Sequence, residues 1–169
     1  MIQIYTGKGK GKTTAALGLA LRAIGHGLKV IMIQFMKGQI NYGELEAINL
    51  LPNFVIEQYG RPEFVNPEKP DKEDIQLAKD GLERAKNIIK SGEFDMVILD
   101  EINVAVSFGL ISADEVIELI KQTPEKTELI LTGRDMPYEF AEYADLISEI
   151  REVKHYFQKG TPSRKGIEY

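Results

Sequence analysis

Nine residues near the start, Thr6-Gly7-Lys8-Gly9-Lys10-Gly11-Lys12-Thr13-Thr14, interleave glycines, lysines and hydroxyls. Glycines let backbone N–H groups turn inward and approach phosphate oxygens closely. A helix starting at the end of such a loop adds its partial positive charge. Lys12 would then give the phosphates a point charge, and the Thr13 hydroxyl is placed to ligate Mg²⁺ (or Mn²⁺). The strict pattern is a glycine, four residues, then Gly-Lys-Ser/Thr. Counting back from Gly11 puts Thr6 at the first glycine position; starting from Gly7 leaves one residue too few. A shorter loop need not hold the same phosphates in the usual way. The candidate nucleotide-binding residues are Gly7, Lys8, Gly9, Lys10, Gly11, Lys12, Thr13 and Thr14.

Two further stretches carry chemistry. Met96-Val97-Ile98-Leu99 runs into Asp100-Glu101, an apolar strand ending in carboxylates, and either acid could hold Mg²⁺ directly or through water. Leu131-Thr132-Gly133 runs into Arg134-Asp135. Arg134 either contacts phosphate or a substrate carboxylate, or pairs with Asp135.

These groups need a scaffold that brings strand ends together. Apolar runs predict strands at 2–6, 30–35, 54–59, 96–100, 128–132 and 146–150. Several, such as Val30-Ile31-Met32-Ile33, are continuously apolar, as strands buried on both faces of a parallel sheet are. Between them lie helical patterns. Ile75, Ala78, Leu82, Ala85 and Ile89 form one stripe within 71–90. Residues 12–24 are rich in Ala, Leu and Gly, and Ser112-Ala113-Asp114-Glu115 has capping-box spacing. The alternation predicts one α/β domain over 1–169, a doubly wound, mostly parallel six-stranded sheet with helices on both faces, of the P-loop NTPase (RecA-like) type. Ligands of such sheets bind beyond the carboxyl ends of the strands.

The 169 residues carry 21 Lys+Arg against 26 Asp+Glu, a net charge of −5. That balance argues against broad electrostatic capture of nucleic acid or of an anionic membrane. Absence of cysteine removes disulfides, Cys-ligated metal and a thiol nucleophile, and two histidines make a His-rich metal site a poor expectation. Neither a secretory leader nor an apolar run of about eighteen residues is visible. The expectation is a cytoplasmic protein without nucleic-acid or membrane partners.

The motif GKGKGKTTAALG (7–18), then Arg22 and Gly25-His26-Gly27, resembles the P-loop corrinoid adenosyltransferases. Phe35-Met36-Lys37-Gly38, Gly43-Glu44, Leu99-Asp100-Glu101, Thr132-Gly133-Arg134, Lys154-His155 and Lys165-Gly166-Ile167-Glu168-Tyr169 extend the resemblance over nearly the whole chain. It implies transfer of the 5′-deoxyadenosyl group of ATP to Co(I) of a reduced corrinoid, with triphosphate as leaving group. It further implies ATP bound in reverse relative to other P-loop proteins. The resemblance gives Lys12, Thr13 and Glu101 as catalytic residues, with Thr13 and Glu101 on the metal and Asp100 behind them. Arg22 and Arg134 are candidate substrate or phosphate contacts. No general base is needed, since Co(I) has no proton to lose. An external electron donor such as a reduced flavoprotein and a homodimeric assembly are implied as well. Family members often carry a Trp- and Phe-containing segment after the third strand, whereas this chain has Tyr59-Gly60-Arg61-Pro62-Glu63-Phe64 and no Trp. Tyr59 and Phe64 could cover the corrin face or simply pack the loop. His155 is not expected to ligate cobalt, because a lower ligand hinders reduction. The alternative activity is that of a P-loop small-molecule kinase or RecA-like ATPase.

Overall fold

Six short apolar runs and the amphipathic segments between them condense into a single layered sheet. The computed structural model describes residues 1–38 and 42–169. The strands are β1 (Ile2–Thr6), β2 (Val30–Phe35), β3 (Phe54–Tyr59), β4 (Met96–Asp100), β5 (Glu128–Thr132) and β6 (Leu146–Glu149). They pair in parallel in the order β3-β2-β4-β5-β1-β6. The helices are α1 (Lys12–Gly25), α2 (Gly43–Ala47), α3 (Lys72–Ser91), α4 (Ile102–Ser107) and α5 (Ala113–Gln122). The expected doubly wound α/β fold is the observed one.

Alternation along each strand sends successive side chains to opposite faces, and here both faces are covered. Val30, Met32, Ile98 and Ile130 pack on one side with Ala16, Ala20 and Ala23 of α1. Ile31, Ile33, Phe35, Val97, Leu99 and Leu131 pack on the other, with Ala78, Leu82 and Ala85 of α3 and Val116 and Ile120 of α5. Each large aliphatic side chain so buried contributes about 1.5–3 kcal/mol. The alanine face of α1 lets that helix lie close to the sheet, which holds its first turn at the end of β1.

Helix ends follow local chemistry. At α5 the Ser112 hydroxyl accepts the Glu115 N–H at 3.3 Å, while the Glu115 carboxylate accepts the Ser112 N–H at 2.9 Å. That is the expected capping box. α3 stops at Gly92, whose φ of 64° suits a left-handed cap. β6 is an edge strand with Leu146 and Ile147 half exposed. It ends one residue before the expected boundary, at Glu149, because the Ile150 carbonyl accepts the Gly9 N–H at 2.7 Å. None of the described helices is long and apolar enough to cross a membrane.

Candidate active site

Parallel pairing aligns the carboxyl ends of β1, β5, β4 and β2, and the chain leaves each into a loop on that edge. From β1 the chain turns through Gly7 to Gly11 into α1. Gly7 has φ 96°, and a Cβ there would lie 2.5 Å from the Ile150 carbonyl oxygen. At Gly9 a Cβ would meet the same oxygen at 2.8 Å. These positions have no room for a side chain, so the loop lies flat against the end of β6.

A cavity of about 550 Å³ opens over this edge, within the usual size for a small-molecule site. Lys8 through Thr14 form one wall. Lys37, Tyr42, Glu44, Glu101, Arg134, His155 and Gly166–Tyr169 also line the cavity. Gly7 lies behind the wall, its carbonyl accepting the Lys12 ammonium at 2.8 Å. The Gly9 carbonyl does the same, also at 2.8 Å. Burial lowers the Lys12 pKa, opposed by the charges of Glu101 and Asp100.

Asp100, fully buried at the end of β4, is the hub beneath the cavity. Its Oδ1 accepts from the Thr13 hydroxyl at 2.8 Å and the Thr132 hydroxyl at 2.7 Å. Its Oδ2 accepts from the Lys37 ammonium at 2.7 Å and, more distantly, from Gln34 Nε2 at 3.4 Å. Burial pulls the Lys37 pKa down, but the charge and hydrogen bond of Asp100 outweigh it and leave it raised. Glu101 differs. Its backbone is left-handed (φ 64°), its N–H donates to the Thr132 hydroxyl at 3.1 Å, and its carboxylate faces the cavity. Among the described residues no donor bonds that carboxylate. Burial, then the neighbouring Asp100 charge, raises its pKa.

Of the candidates read from sequence, Lys8 to Thr14, Glu101 and Arg134 meet around one cavity, with Asp100 under its floor. Arg134 makes no ion pair with Asp135 among the described residues. Three candidates stand elsewhere. Arg22 lies exposed in the last turn of α1. Tyr59 packs against Gly81 of α3 and donates its hydroxyl to Glu57 at 3.1 Å. Phe64 is fully exposed. Residues absent from the candidate set but central here are Lys37, Gln34 and Thr132, which hold Asp100, and Glu168, which holds Lys10 at 2.8 Å. Lys37, Thr132 and Glu168 stood within resembling motifs, which was the available signal.

A glycine-lysine loop, a hydroxyl beside two carboxylates and a cavity large enough for a nucleoside suit a bound nucleoside triphosphate. Comparison with known proteins narrows this. The family model for ATP:corrinoid adenosyltransferase BtuR/CobO/CobP matches residues 1–169. A corrinoid adenosyltransferase of Sinorhizobium sp is 37% identical over all of this chain and 80% of its own length. That of Escherichia coli K12 is 36% identical over all of this chain and 85% of its own length. Corrinoid adenosyltransferase CobA of Salmonella typhimurium is 35% identical with the same coverage. A glycine-lysine loop, a buried strand-end carboxylate pair and full-length similarity coincide, and the chain belongs to the ATP:corrinoid adenosyltransferase family.

Proposed function

We propose that the chain transfers the 5′-deoxyadenosyl group of ATP to the cobalt of a reduced corrinoid, with the triphosphate seated on residues 8–14. What carries this reading at the level of residues is the contrast between Asp100 and Glu101. Asp100 is consumed by four donors, while Glu101 points a carboxylate without donors into the same cavity as Lys12 and Thr13.

In the reaction, the Co(I) electron pair forms the cobalt–C5′ bond, and the C5′–O5′ bond breaks. Its electron pair departs on triphosphate, and cobalt ends formally as Co(III). No proton moves, so no side chain acts as a base. The protein must gather negative charge on the leaving group and exclude water. Lys12 and the loop amides do the first. Holding two reactants in line can supply roughly 7–11 kcal/mol.

The residues fit Mg²⁺ held chiefly by phosphate. Thr13 and Glu101 supply a hydroxyl and one carboxylate, and the described residues contain no cluster of three His, Cys, Asp or Glu. Mg²⁺ takes one or two carboxylates plus substrate phosphates, not an all-protein cage. When bound, it would withdraw charge from the leaving triphosphate. Asp100 fixes Thr13 and leaves direct ligation to Glu101. Reducing electrons come from a separate donor of the reduced flavoprotein class, and the working assembly is a homodimer.

The test is an anaerobic assay with ATP, Mg²⁺ and chemically reduced cobalamin. The expected products are a light-sensitive alkylcobalamin and intact triphosphate in equal amounts. ADP and orthophosphate without alkylated corrinoid would instead indicate a kinase or ATPase.

A further inference from the structure

Lys10 stands in the middle of the three loop lysines, yet its ammonium is committed to the far end of the chain. Its Nζ donates to the Glu168 carboxylate at 2.8 Å, to the Tyr156 hydroxyl at 2.8 Å and to the Ile167 carbonyl at 3.0 Å. An ammonium has three N–H bonds, so none remains for a phosphate oxygen. Glu168 is equally engaged. It also accepts from the Tyr156 hydroxyl, from the Arg164 guanidinium at 3.2 Å and from the Arg164 N–H at 2.6 Å. Residues 166–169, carried on this clasp, line the same cavity as the phosphate loop. Lys12 is different, for its two bonds go to carbonyls of its own loop and leave one N–H over.

We propose that Lys10 serves this segment and not the phosphates: with Glu168 it forms a clasp that seats residues 166–169 as a wall of the nucleotide cavity. Glu168 is thereby a positioning residue for nucleotide binding. The proposal rests on the reading that the loop binds a nucleoside triphosphate. The two readings of Lys10 differ in sign. If Lys10 and Glu168 hold a wall, removing either loosens the same contact and weakens binding. If Lys10 is a phosphate ligand, removing Glu168 frees its ammonium and deletes a nearby negative charge, so binding strengthens.

Calorimetric titration of ATP with Mg²⁺ into the full chain separates these, using the parent, Lys10→Met, Glu168→Gln and the double variant. Hydrogen exchange over residues 164–169 is followed in the same samples. The clasp predicts a roughly tenfold weaker Kd in each single variant, a double variant no weaker than either, and faster exchange across 164–169 in all three. A Glu168→Gln Kd equal to or tighter than that of the parent overturns it, as do additive losses. Parental Kd values with only a lowered Tm would make the pair purely structural and overturn it as well. A parent that binds no ATP defeats the underlying nucleotide reading itself.

Discussion

Replacing Lys37 with methionine strands a carboxylate under the floor of the active site. The Asp100 side chain has no exposed surface and that of Lys37 is 15% exposed, so water can do little for the charge left behind. In Lys37→Met the apolar stem is kept. Asp100 Oδ1 retains the Thr13 and Thr132 hydroxyls, while Oδ2 is left with Gln34 at 3.4 Å. Removing one partner of a buried pair costs about 3–5 kcal/mol, and the two surviving hydroxyl bonds place this case near the lower figure. For a chain of this length about 3 kcal/mol lowers Tm by roughly 6–12 °C.

A double variant, Lys37→Met with Asp100→Asn, removes both charges and returns to within about 1 kcal/mol of the parent. The pH dependence gives a second arm. Lys37 has a folded pKa above its ordinary 10.5, because Asp100 outweighs burial. Its contribution is therefore complete below that pH and is lost as pH rises through the folded value. The gap between parent and Lys37→Met should be widest near neutrality and close at strongly alkaline pH. Scanning calorimetry at pH 7 and urea titrations carried from pH 7 to above the folded Lys37 pKa make both measurements. Equal stability at pH 7, or a double variant no more stable than the single, would refute the reasoning.

Three further outcomes are expected. Gly9→Ala sets a Cβ 2.8 Å from backbone that cannot yield and should cost about 2–4 kcal/mol, whereas Gly18→Ala, with nothing within 4 Å in the same chain region, should gain about 0.5–1 kcal/mol. Calorimetry showing the same sign for both would defeat the packing argument. Glu101→Gln should make the ligand-free protein more stable at pH 7. The burial-raised pKa of Glu101 makes stability fall as pH rises above about 4.5, so the advantage should vanish below that pH in urea titrations. Thr13→Val loses the 2.8 Å bond to Asp100, about 1 kcal/mol, and should weaken ATP binding in Mg²⁺ while leaving binding in EDTA near parental. Equal losses in both media would remove Thr13 from the metal.

What could be read in the sequence was whatever is carried by local spacing. Strand runs such as Val30–Phe35 and Met96–Asp100 are apolar on both faces, and their limits in the structure match the runs. The Ala78-Leu82-Ala85 stripe faces the sheet because four- and three-residue steps can only do so on a helix. The short α2 and α4 carry too few residues for a periodic signal and were not foreseen. Site residues divide in the same way. The loop and the Asp100-Glu101 pair are contiguous, but Lys37 reaches Asp100 across 63 positions and Lys10 reaches Glu168 across 158. No spacing rule connects such residues; the strand order brings Lys37 to Asp100, and the return of the chain after β6 brings Glu168 to Lys10. Arg22 failed to join them for a geometric reason, since ten residues of helix carry it about 15 Å from Lys12. Tyr59 is diverted by strand parity, which puts its ring against Gly81 and on the same face as Glu57.

Adjacent carboxylates repel, and their different fates here follow from a single backbone event. β4 stays extended through Asp100, which parity and the register with Gln34 bury among hydroxyls and the Lys37 ammonium. At Glu101 the chain turns left-handed, at a cost of about 1–2 kcal/mol for a residue with a Cβ. Thr132 offsets part of that cost from the neighbouring strand, donating to Asp100 while accepting the Glu101 N–H. The same hydroxyl thus fixes the quenched carboxylate and the turn that lifts the other one into the cavity. Were Glu101 extended, strand alternation would send its side chain to the opposite face of the sheet from that of Asp100. The turn instead keeps both acids at the strand end with different tasks. Asp100 orients Thr13 with its charge already balanced by Lys37, and Glu101 keeps a carboxylate that burial pushes toward its neutral form.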